Sequence, residues 1–554
     1  MELTRRNFLG ASALAAAGIA AAGLTGCGPS ESSSSSSTSS SESSSTATES
    51  TGKNEFIDAQ AQGYDFYSTS AFEPDPIADD AIAETVESDI VVVGAGIGGA
   101  VAALTAIQNG ATVTVLQKEA TVLSHGWGIA ACNSKVQKEE GYEPDWRAVL
   151  NEWARLGENR GDYRLFGTWL TYSGETIDWL YDLAHEVEGV GPMITPPGMK
   201  TKYTDAWTQT YSAAHGWTGE MGALATWLIE QAVEGGADVR YSTPGVQLVT
   251  ENGKVTGVIG KDADGNYIKC MGTVIMSAGD FGNNPGMRAR YLPHVEGLPS
   301  AYSVTSNTGD GQLMMMAIGG KMQDAPHCSN IHYDPPVGVP NVCGSGVPWL
   351  FVNLNGERFS NEDVNYGQLY AQDMLQPEYI HYQVFDSDYP DYYANMGHGM
   401  MRDEPSPDYS GIAVGIENGD VLSADTIEEL ADKMGVPADA LSATVERYNE
   451  LAEKGVDEDF GKNPDYLHPI VTAPFLAIKR RPGVLCTING VITNPDMQAL
   501  DNDGNAIEGL YVTGNCQGNW FGGLEHPMII PGMSLGRAVV TARIAAMRAC
   551  GAEY

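Results

Sequence analysis

Basic residues are scarce in this sequence of 554 residues. There are 31 Lys and Arg against 71 Asp and Glu, so the formal net charge is −40. A surface of that sign repels DNA and RNA phosphates, which excludes a general nucleic-acid binder. The acidity itself indicates only a well-solvated surface. The length predicts two to four domain-sized units with ample hydrophobic core.

Closely spaced cysteine pairs are also absent. Apart from Cys27, seven cysteines are scattered along the chain, and none forms a CxxC pair: Cys132, Cys270, Cys328, Cys343, Cys486, Cys516 and Cys550. The spacing excludes zinc-ribbon, ferredoxin-type and CxxCH haem motifs. An odd number cannot all form disulfides, so buried free thiols are expected. An iron–sulfur cluster held by cysteines distant in sequence stays open.

After the N-terminus no segment carries 18 consecutive apolar residues, so we expect a soluble body. Residues 1–27 read as a twin-arginine signal that ends in a lipoprotein-type processing site before Cys27. Residues 28–85 read as a Ser-rich tether and lead-in. We therefore expect export by the twin-arginine route and anchoring to the outer face of the cytoplasmic membrane through lipidated Cys27 alone. An ordinary cleaved signal with a chance cysteine is the alternative.

A strand–turn–helix–strand pattern begins at residue 89. A buried strand (89–93) is followed by a GxGxxG motif, a helix of small residues (100–108) and a second strand (112–116). This context is typical of dinucleotide binding. The first glycine makes a tight turn, the second admits a pyrophosphate and the third lets helix and strand pack closely. The glycines of this loop are Gly94, Gly96, Gly98 and Gly99.

The second strand departs from the motif at its end. An acidic residue that accepts from ribose hydroxyls is expected there, but the sequence has Gln117, followed by Lys118. An amide accepts from a hydroxyl without the charge that strengthens such a bond. Glu119 can take the place of the missing acidic residue as acceptor from the ribose hydroxyls if the loop after the strand bends back.

Later segments continue an α/β pattern. They are a helix at 219–235, an antiparallel hairpin turning at 252–253, a buried strand at 274–278, a helix at 312–318, a strand at 509–513 and a last helix from 533 to 548. From about Asp89 to the C-terminus these pieces resemble the FAD-dependent fumarate reductase and ketosteroid dehydrogenase superfamily. The resemblance implies a Rossmann-like FAD-binding domain (86–334 and 470–554) interrupted by an α+β capping domain (335–469) over the substrate.

The resemblance also implies which residues bind FAD. Besides the glycine loop, Gln117 and Lys118, they are Val246, Ala278, Gly279, Asp310, Gly514, Asn515, Ser534 and Leu535. The backbone N–H groups of Ser534 and Leu535 would face the flavin pyrimidine edge at a helix N-terminus, where negative charge on reduced flavin is stabilised.

The residues that clamp and protonate a dicarboxylate in the fumarate reductases are missing here. The proton-donor arginine is replaced by Tyr366, the paired histidines by Leu485 and Cys486, and a clamping arginine by Ile529. A dicarboxylate would leave its charges unpaired in a closed site. We therefore expect a neutral substrate.

Tyrosine and histidine are the remaining candidates for proton transfer and substrate contact. They are Tyr333, Tyr366, His332 and His526, with Glu525 beside the last. We predict hydride transfer from flavin N5 to a C=C bond conjugated to a carbonyl, in a steroid-like or unsaturated-lactone substrate such as a cardiac glycoside. Ketosteroid dehydrogenation, reduction of another enoate such as fumarate or urocanate, and an FAD electron-transfer or binding protein without substrate are the alternatives.

The signal, the tether and the motifs together resemble the secreted reductases of gut Actinobacteria, among them those that reduce cardiac glycosides. This resemblance implies a 4Fe–4S cluster, for which the cysteine spacing gives no sign. It also implies that a separate membrane cytochrome delivers electrons, since the sequence has no haem site.

Overall fold

A computed structural model describes residues 76–554 apart from 125, 127, 195–210, 212, 301–305, 334–346, 364–365, 394–395, 397–409 and 528. The predicted signal and most of the predicted tether lie outside the described residues. None of the helices in the described part is long and apolar enough to cross a membrane.

The strands are, in chain order, β1 (Ile82–Val93), β2 (Val113–Leu116), β3 (Gly128–Ala130), β4 (Met193–Ile194), β5 (Ala214–Trp217), β6 (Asp238–Arg240), β7 (Gly245–Glu251), β8 (Lys254–Lys261), β9 (Tyr267–Met276), β10 (Ser329–His332), β11 (Leu350–Asn353), β12 (His381–Asp386), β13 (Val421–Ala424), β14 (Phe475–Arg480), β15 (Gly483–Thr487), β16 (Gln498–Leu500) and β17 (Ala506–Val512). The helices are α1 (Ile97–Gln108), α2 (Lys135–Glu139), α3 (Trp146–Leu156), α4 (Tyr163–Ala184), α5 (Glu220–Glu234), α6 (Pro285–Tyr291), α7 (Asp310–Ala317), α8 (Tyr366–Asp373), α9 (Tyr389–Tyr392), α10 (Ser410–Asn418), α11 (Ile427–Met434), α12 (Ala438–Lys454) and α13 (Met533–Ala549).

The main sheet has the order β16-β17-β9-β1-β2-β6, and β1, β2, β6, β9 and β17 run parallel to one another. Its central strand ends in Ile90–Val93, which is fully buried. Ile90 and Val92 share a core with α1, α5 and α13, and Val91 and Val93 share a core with β7, β8 and α7. Helix α1 packs against α5 and α13, and its small residues allow this close approach. The predicted Rossmann-like α/β fold is confirmed.

The predicted antiparallel insertion is the β7–β8 hairpin, which joins the main sheet where β8 pairs with β9. Its two turn residues, Asn252 and Gly253, both have positive φ, at 51° and 81°. Two successive positive φ angles define the type I′ turn that Asn-Gly favours in a two-residue hairpin.

A second sheet, with the order β11-β12-β14-β13, is antiparallel throughout. Helices α11 and α12 cover it and complete a separate hydrophobic core that includes Leu430, Leu441 and Ala477. This is the α+β unit expected from the sequence. The predicted end of that unit at residue 469 falls short of β14 (Phe475–Arg480), whose pairing with β12 and β13 places it in the same sheet.

Two smaller sheets connect these units. β10 pairs antiparallel with β15, and β3, β5 and β4 form a three-stranded antiparallel sheet beside the N-terminus of α13. The first of these sheets brings segments more than 150 residues apart to one wall of the cavity described next.

Candidate active site

A long cavity opens where β1, β2, β9 and β17 end, which is the usual ligand position in a parallel α/β sheet. Twelve of the cofactor residues expected from the sequence line it: Gly94, Gly96, Gly98, Gln117, Lys118, Ala278, Gly279, Asp310, Gly514, Asn515, Ser534 and Leu535. The topology therefore gathers the scattered motifs into one site.

Two glycines of the loop at the start of α1, Gly94 and Gly99, leave no room for side chains. Gly94 has φ of +98°, and a Cβ there would lie 2.4 Å from the carbonyl oxygen of Ser277. A Cβ on Gly99 would lie 1.8 Å from the carbonyl oxygen of Gly94. Gly99 is absent from the cavity wall because it packs α1 onto the turn, which is the role expected for the third glycine of the motif.

Val246, which the resemblance implies as a cofactor contact, is not among the residues that line the cavity. Gly245 lines the cavity, whereas the side chain of Val246 is buried in the protein. Alternation along β7 explains the difference, since successive side chains of a strand point to opposite faces.

The side-chain amide of Gln117 braces the glycine loop. Its Oε1 accepts from the backbone N–H of Ala95 at 3.0 Å, and its Nε2 donates to the carbonyl of Thr121 at 2.8 Å. We expected this oxygen to be reserved for a ribose hydroxyl, but it already holds the loop through which the pyrophosphate would be bound. Glu119 also lines the cavity and remains available as an acceptor.

Lys118 crosses to the loop before α7. Its ammonium donates to Asp310 at 2.9 Å, to the hydroxyl of Thr308 at 3.0 Å and to the carbonyl of Ser306 at 3.3 Å. This ion pair is only partly exposed, and it fixes the position of α7 beside the cavity.

The N-terminus of α13 faces the other end of the cavity. Gly532 precedes the helix with φ of +79°, and a Cβ there would lie 2.5 Å from the carbonyl oxygen of Gly128. The hydroxyl of Ser534 donates to Oδ1 of Asn515 at 3.3 Å. A helix N-terminus in a cavity wall offers unpaired N–H groups and a partial positive charge to an anionic ligand.

The strand pair β10–β15 forms the wall near this end. Asn330 and His332 from β10, and Leu485 and Cys486 from β15, line the cavity together with His526. Among the described residues of this wall no side chain is an Asp, Glu, Lys or Arg. Asn330 donates to the thiol of Cys486 at 3.4 Å, and its buried Oδ1 has no hydrogen-bond partner in the described part of the chain.

His526 is buried and stacks on Phe521, with ring centroids 5.0 Å apart. Burial, reinforced by nearby His332, lowers the pKa of His526 to about 3, so its imidazole is neutral at physiological pH. The neighbouring Glu525 accepts from Ser329 at 2.6 Å and from the backbone N–H of Ile331 at 2.9 Å. Burial raises the pKa of Glu525 well above its ordinary value despite these bonds.

The candidate Tyr333 does not line this wall. The hydroxyl of Tyr333 donates to Asp373 at 2.7 Å, and the fully buried Tyr333 is not among the residues that line the cavity. Asp373 also contacts His381 at 2.9 Å, so the phenol belongs to a buried network between α8 and β12. Tyr366 begins α8, but its side chain lies outside the described part of the structure.

Leu485, Cys486 and Ile529 replace basic residues that the resemblance to the fumarate reductases leads one to expect, and they do not all line the cavity. Leu485 and Cys486 line the cavity, and Ile529 is buried in the hydrophobic core away from it. Asn330 was missed from the sequence. The alternation of β10 was the available signal, because a strand that presents His332 to the cavity presents the residue two positions earlier to the same side.

The described cysteines are free thiols. Within the described ranges no group of three or more His, Cys, Asp or Glu is arranged to hold a metal ion. Cys27 and Cys343 lie outside those ranges.

A family model described as an FAD binding domain matches residues 89–526. The chain belongs to this FAD-binding family. The identification agrees with the cavity, in which a glycine turn with no room for side chains, a braced loop and a helix N-terminus fit a dinucleotide with a pyrophosphate. FAD is the cofactor, and the predicted flavin-dependent oxidoreductase is confirmed.

The relatives of this FAD-binding protein include reductases and dehydrogenases. It is 29% identical to the vinyl phenol reductase of Lactiplantibacillus plantarum over 82% of this chain and 94% of the relative. It is 28% identical to the digoxin reductase of Eggerthella lenta over 79% of this chain and 83% of the relative. Identity to the 3-oxosteroid 1-dehydrogenase of Mycolicibacterium smegmatis is 32%, over 57% of this chain and 59% of the relative.

Solved structures agree on the fold. The open conformation of a flavocytochrome c3 fumarate reductase matches with a TM-score of 0.66 and 23% identity, over 86% of this chain and 81% of that chain. A 3-ketosteroid Δ4-(5α)-dehydrogenase from Rhodococcus jostii RHA1 matches with a TM-score of 0.62 and 24% identity, over 86% and 99%. The family model and the reductase and dehydrogenase relatives confirm the suspected superfamily.

Proposed function

We propose that this protein is an FAD-dependent reductase of a C=C bond conjugated to a carbonyl or aromatic group in a neutral substrate, such as an unsaturated lactone, a steroid enone or a vinyl phenol. The observation that carries the proposal is the wall formed by Asn330, His332, Leu485, Cys486 and His526. Its described side chains offer hydrogen bonds and apolar surface, and none of them is a permanently charged group.

A dicarboxylate would be a poor ligand for this wall. Moving a carboxylate out of water costs several kcal/mol unless a cation pairs with it. Lys118 is the one Lys or Arg among the described residues that line the cavity, and it is paired with Asp310 beside α7. The similarity to a digoxin reductase and a vinyl phenol reductase supports a neutral substrate independently.

Bound FAD supplies the hydride in this chemistry. The residues of the chain hold the substrate, exclude water and supply the proton. His526 acts as a neutral imidazole that binds the substrate, because a pKa of about 3 leaves it unprotonated at working pH.

His332 is the proton donor in this proposal. It lines the cavity, and histidine is the side chain that most often transfers protons in enzyme active sites. Tyr333 is less suited, since its hydroxyl donates to Asp373.

The proposal is tested by steady-state assays with a reduced dye as electron source and a panel of unsaturated lactones, steroid enones, vinyl phenols and fumarate. The expected products gain two hydrogens from the neutral acceptors. His332→Gln should lower kcat by about 100-fold or more while flavin reduction by the dye is unchanged. Activity with fumarate alone would contradict the proposal, and dye-coupled oxidation of saturated ketosteroids without any reduction would favour a dehydrogenase.

We propose further that the chain is exported by the twin-arginine route, that lipid on Cys27 tethers it to the outer face of the cytoplasmic membrane, and that a separate membrane cytochrome supplies its electrons. The signal and Ser-rich segment of the sequence support this. Cys27→Ala should release the protein from membranes into the soluble fraction. Iron and acid-labile sulfide analysis of the purified protein tests the 4Fe–4S cluster that the resemblance implies.

A further inference from the structure

Arg537, in the second turn of α13, is completely buried. Its Nη1 donates to the carbonyl of Ile488 at 2.7 Å and to that of Gln517 at 3.3 Å, and its Nη2 donates to Oδ1 of Asn515. Its Nε has no hydrogen-bond partner among the residues that the structure describes. The guanidinium also lies over the ring of Phe521, 4.9 Å from the centroid. The side chain is thus fixed in one position by neutral groups.

No carboxylate within the described ranges forms an ion pair with Arg537. Asp280 interacts electrostatically with the guanidinium, and the side chain of Asn515 bridges the two: its Oδ1 accepts from Arg537, and its Nδ2 donates to Asp280 at 3.5 Å. Three buried thiols also face the guanidinium: Cys328, Cys486 and Cys516. Burial raises the pKa of each, to about 12 for Cys516, so they are neutral and do not compensate the charge.

A buried cation that has no directly paired carboxylate is expensive. Burial lowers the pKa of Arg537 to about 9, because the charged guanidinium loses its hydration in the protein interior. The group nevertheless stays charged at neutral pH. Such a charge persists where a bound anion offsets it. The cavity lies on the other side of Asn515, and Ser534 and Ala538, on the same helix as Arg537, line it.

Two sources of positive potential therefore converge on one end of the cavity. The N-terminus of α13 contributes its N–H groups, and the guanidinium lies behind Asn515 within the first two turns of the same helix. Addition of two electrons and one proton to FAD leaves one net negative charge on the flavin ring. A fixed cation close to the ring favours that reduced form over the neutral oxidised ring.

We propose that Arg537 is a positioning residue for the flavin's electrostatics, which acts through Asn515 to raise the reduction potential of bound FAD. It does not touch the substrate. The proposal concerns the cofactor, so it stands or fails independently of which C=C bond is reduced.

The test is an anaerobic equilibrium of the FAD-loaded protein with a two-electron reference dye, read from the flavin and dye absorbance. Arg537→Gln should lower the ratio of reduced to oxidised flavin at least tenfold at a fixed dye ratio, which corresponds to about 30 mV. Arg537→Lys, which keeps the charge but not the hydrogen-bond pattern, should stay within about threefold of the wild-type ratio. Equal ratios for Arg537→Gln and wild type would overturn the proposal, as would equally large losses in both variants.

A second variant decides the matter if Arg537→Gln does not retain FAD. Asp280→Asn removes the negative charge that Asn515 bridges to Arg537 and should shift the same ratio in the opposite direction, by at least about threefold. An unchanged or lowered ratio would overturn the proposal. Sulfite binding provides a further check, because the sulfite adduct places negative charge on the oxidised flavin ring. Arg537→Lys should bind sulfite as the wild type does. Arg537→Gln, which lacks the cation, should bind sulfite at least about tenfold more weakly. Equal sulfite affinity with and without the cation would contradict the proposal.

Discussion

Gly99→Ala introduces a methyl group into the closest backbone contact of the glycine loop. The new Cβ would lie 1.8 Å from the carbonyl oxygen of Gly94, whereas Cβ atoms essentially never approach other heavy atoms within 3.0 Å. The atom it meets is backbone, so relief requires the start of α1 to move away from the turn by more than 1 Å. Losing one hydrogen bond to a charged phosphate costs about 1.5–3 kcal/mol. We therefore expect the FAD dissociation constant to rise about 10- to 150-fold.

The assay is titration of apoprotein with FAD, followed by quenching of flavin fluorescence. Gly167→Ala is the matched control, because Gly167 lies in α4 and no described atom lies within 4 Å of the position that its added methyl group would take. The control should bind FAD normally and gain up to about 1 kcal/mol of stability from helix propensity. Wild-type FAD affinity in Gly99→Ala would refute the account of how the loop admits the pyrophosphate.

Three further predictions concern buried polar groups. Tyr333→Phe leaves Asp373 with one bond fewer, so urea unfolding should show a loss of about 1–3 kcal/mol while kcat stays within about threefold of wild type; a large loss of kcat would place the phenol in catalysis. Burial lowers the pKa of His215 to about 4, so the unfolded state binds more protons below pH 6.5 and stability falls on acidification; His215→Gln should remove about 2 kcal/mol of the wild-type difference between pH 8 and pH 5, and an unchanged difference would contradict the shift. Arg358→Met removes the buried cation that Glu362 and Asp457 share and leaves Glu362 with Lys462 at 3.5 Å. It should cost about 3–5 kcal/mol in calorimetry, whereas a neutral result would mean that these ion pairs are not structural.

The parallel sheet and the glycine loop could be predicted from local patterns, because strand, turn and helix follow one another within thirty residues. The length of β1 could not. It begins at Ile82 rather than at residue 89, since pairing with β9 extends a segment that looks too polar for a buried strand. The pairing of β14 with β12 and β13, beyond the predicted capping-domain boundary at residue 469, could not be predicted either, because β12 lies about 90 residues earlier in the sequence.

In the candidate site, too, features encoded by local sequence could be predicted, and features that depend on tertiary contacts could not. Many residues that line the cavity could be predicted, because glycine and helix-start signals are local. The use of Gln117 as a loop brace could not, since its partner is a backbone N–H that the fold brings near. Arg537 carries no sequence signal at all, because an arginine in the last helix looks like a surface residue until tertiary packing buries it.

The central claim is that the cavity wall formed by Asn330, His332, Leu485, Cys486 and His526 accepts neutral molecules and rejects dicarboxylates. The most direct test is single-turnover reoxidation of the dithionite-reduced protein in an anaerobic stopped-flow instrument, with an unsaturated lactone, a steroid enone or a vinyl phenol against fumarate. We predict that at least one neutral acceptor reoxidises the flavin about 100-fold faster than fumarate or more, because an unpaired carboxylate costs several kcal/mol in this wall. Reoxidation by fumarate at the faster rate would contradict the claim.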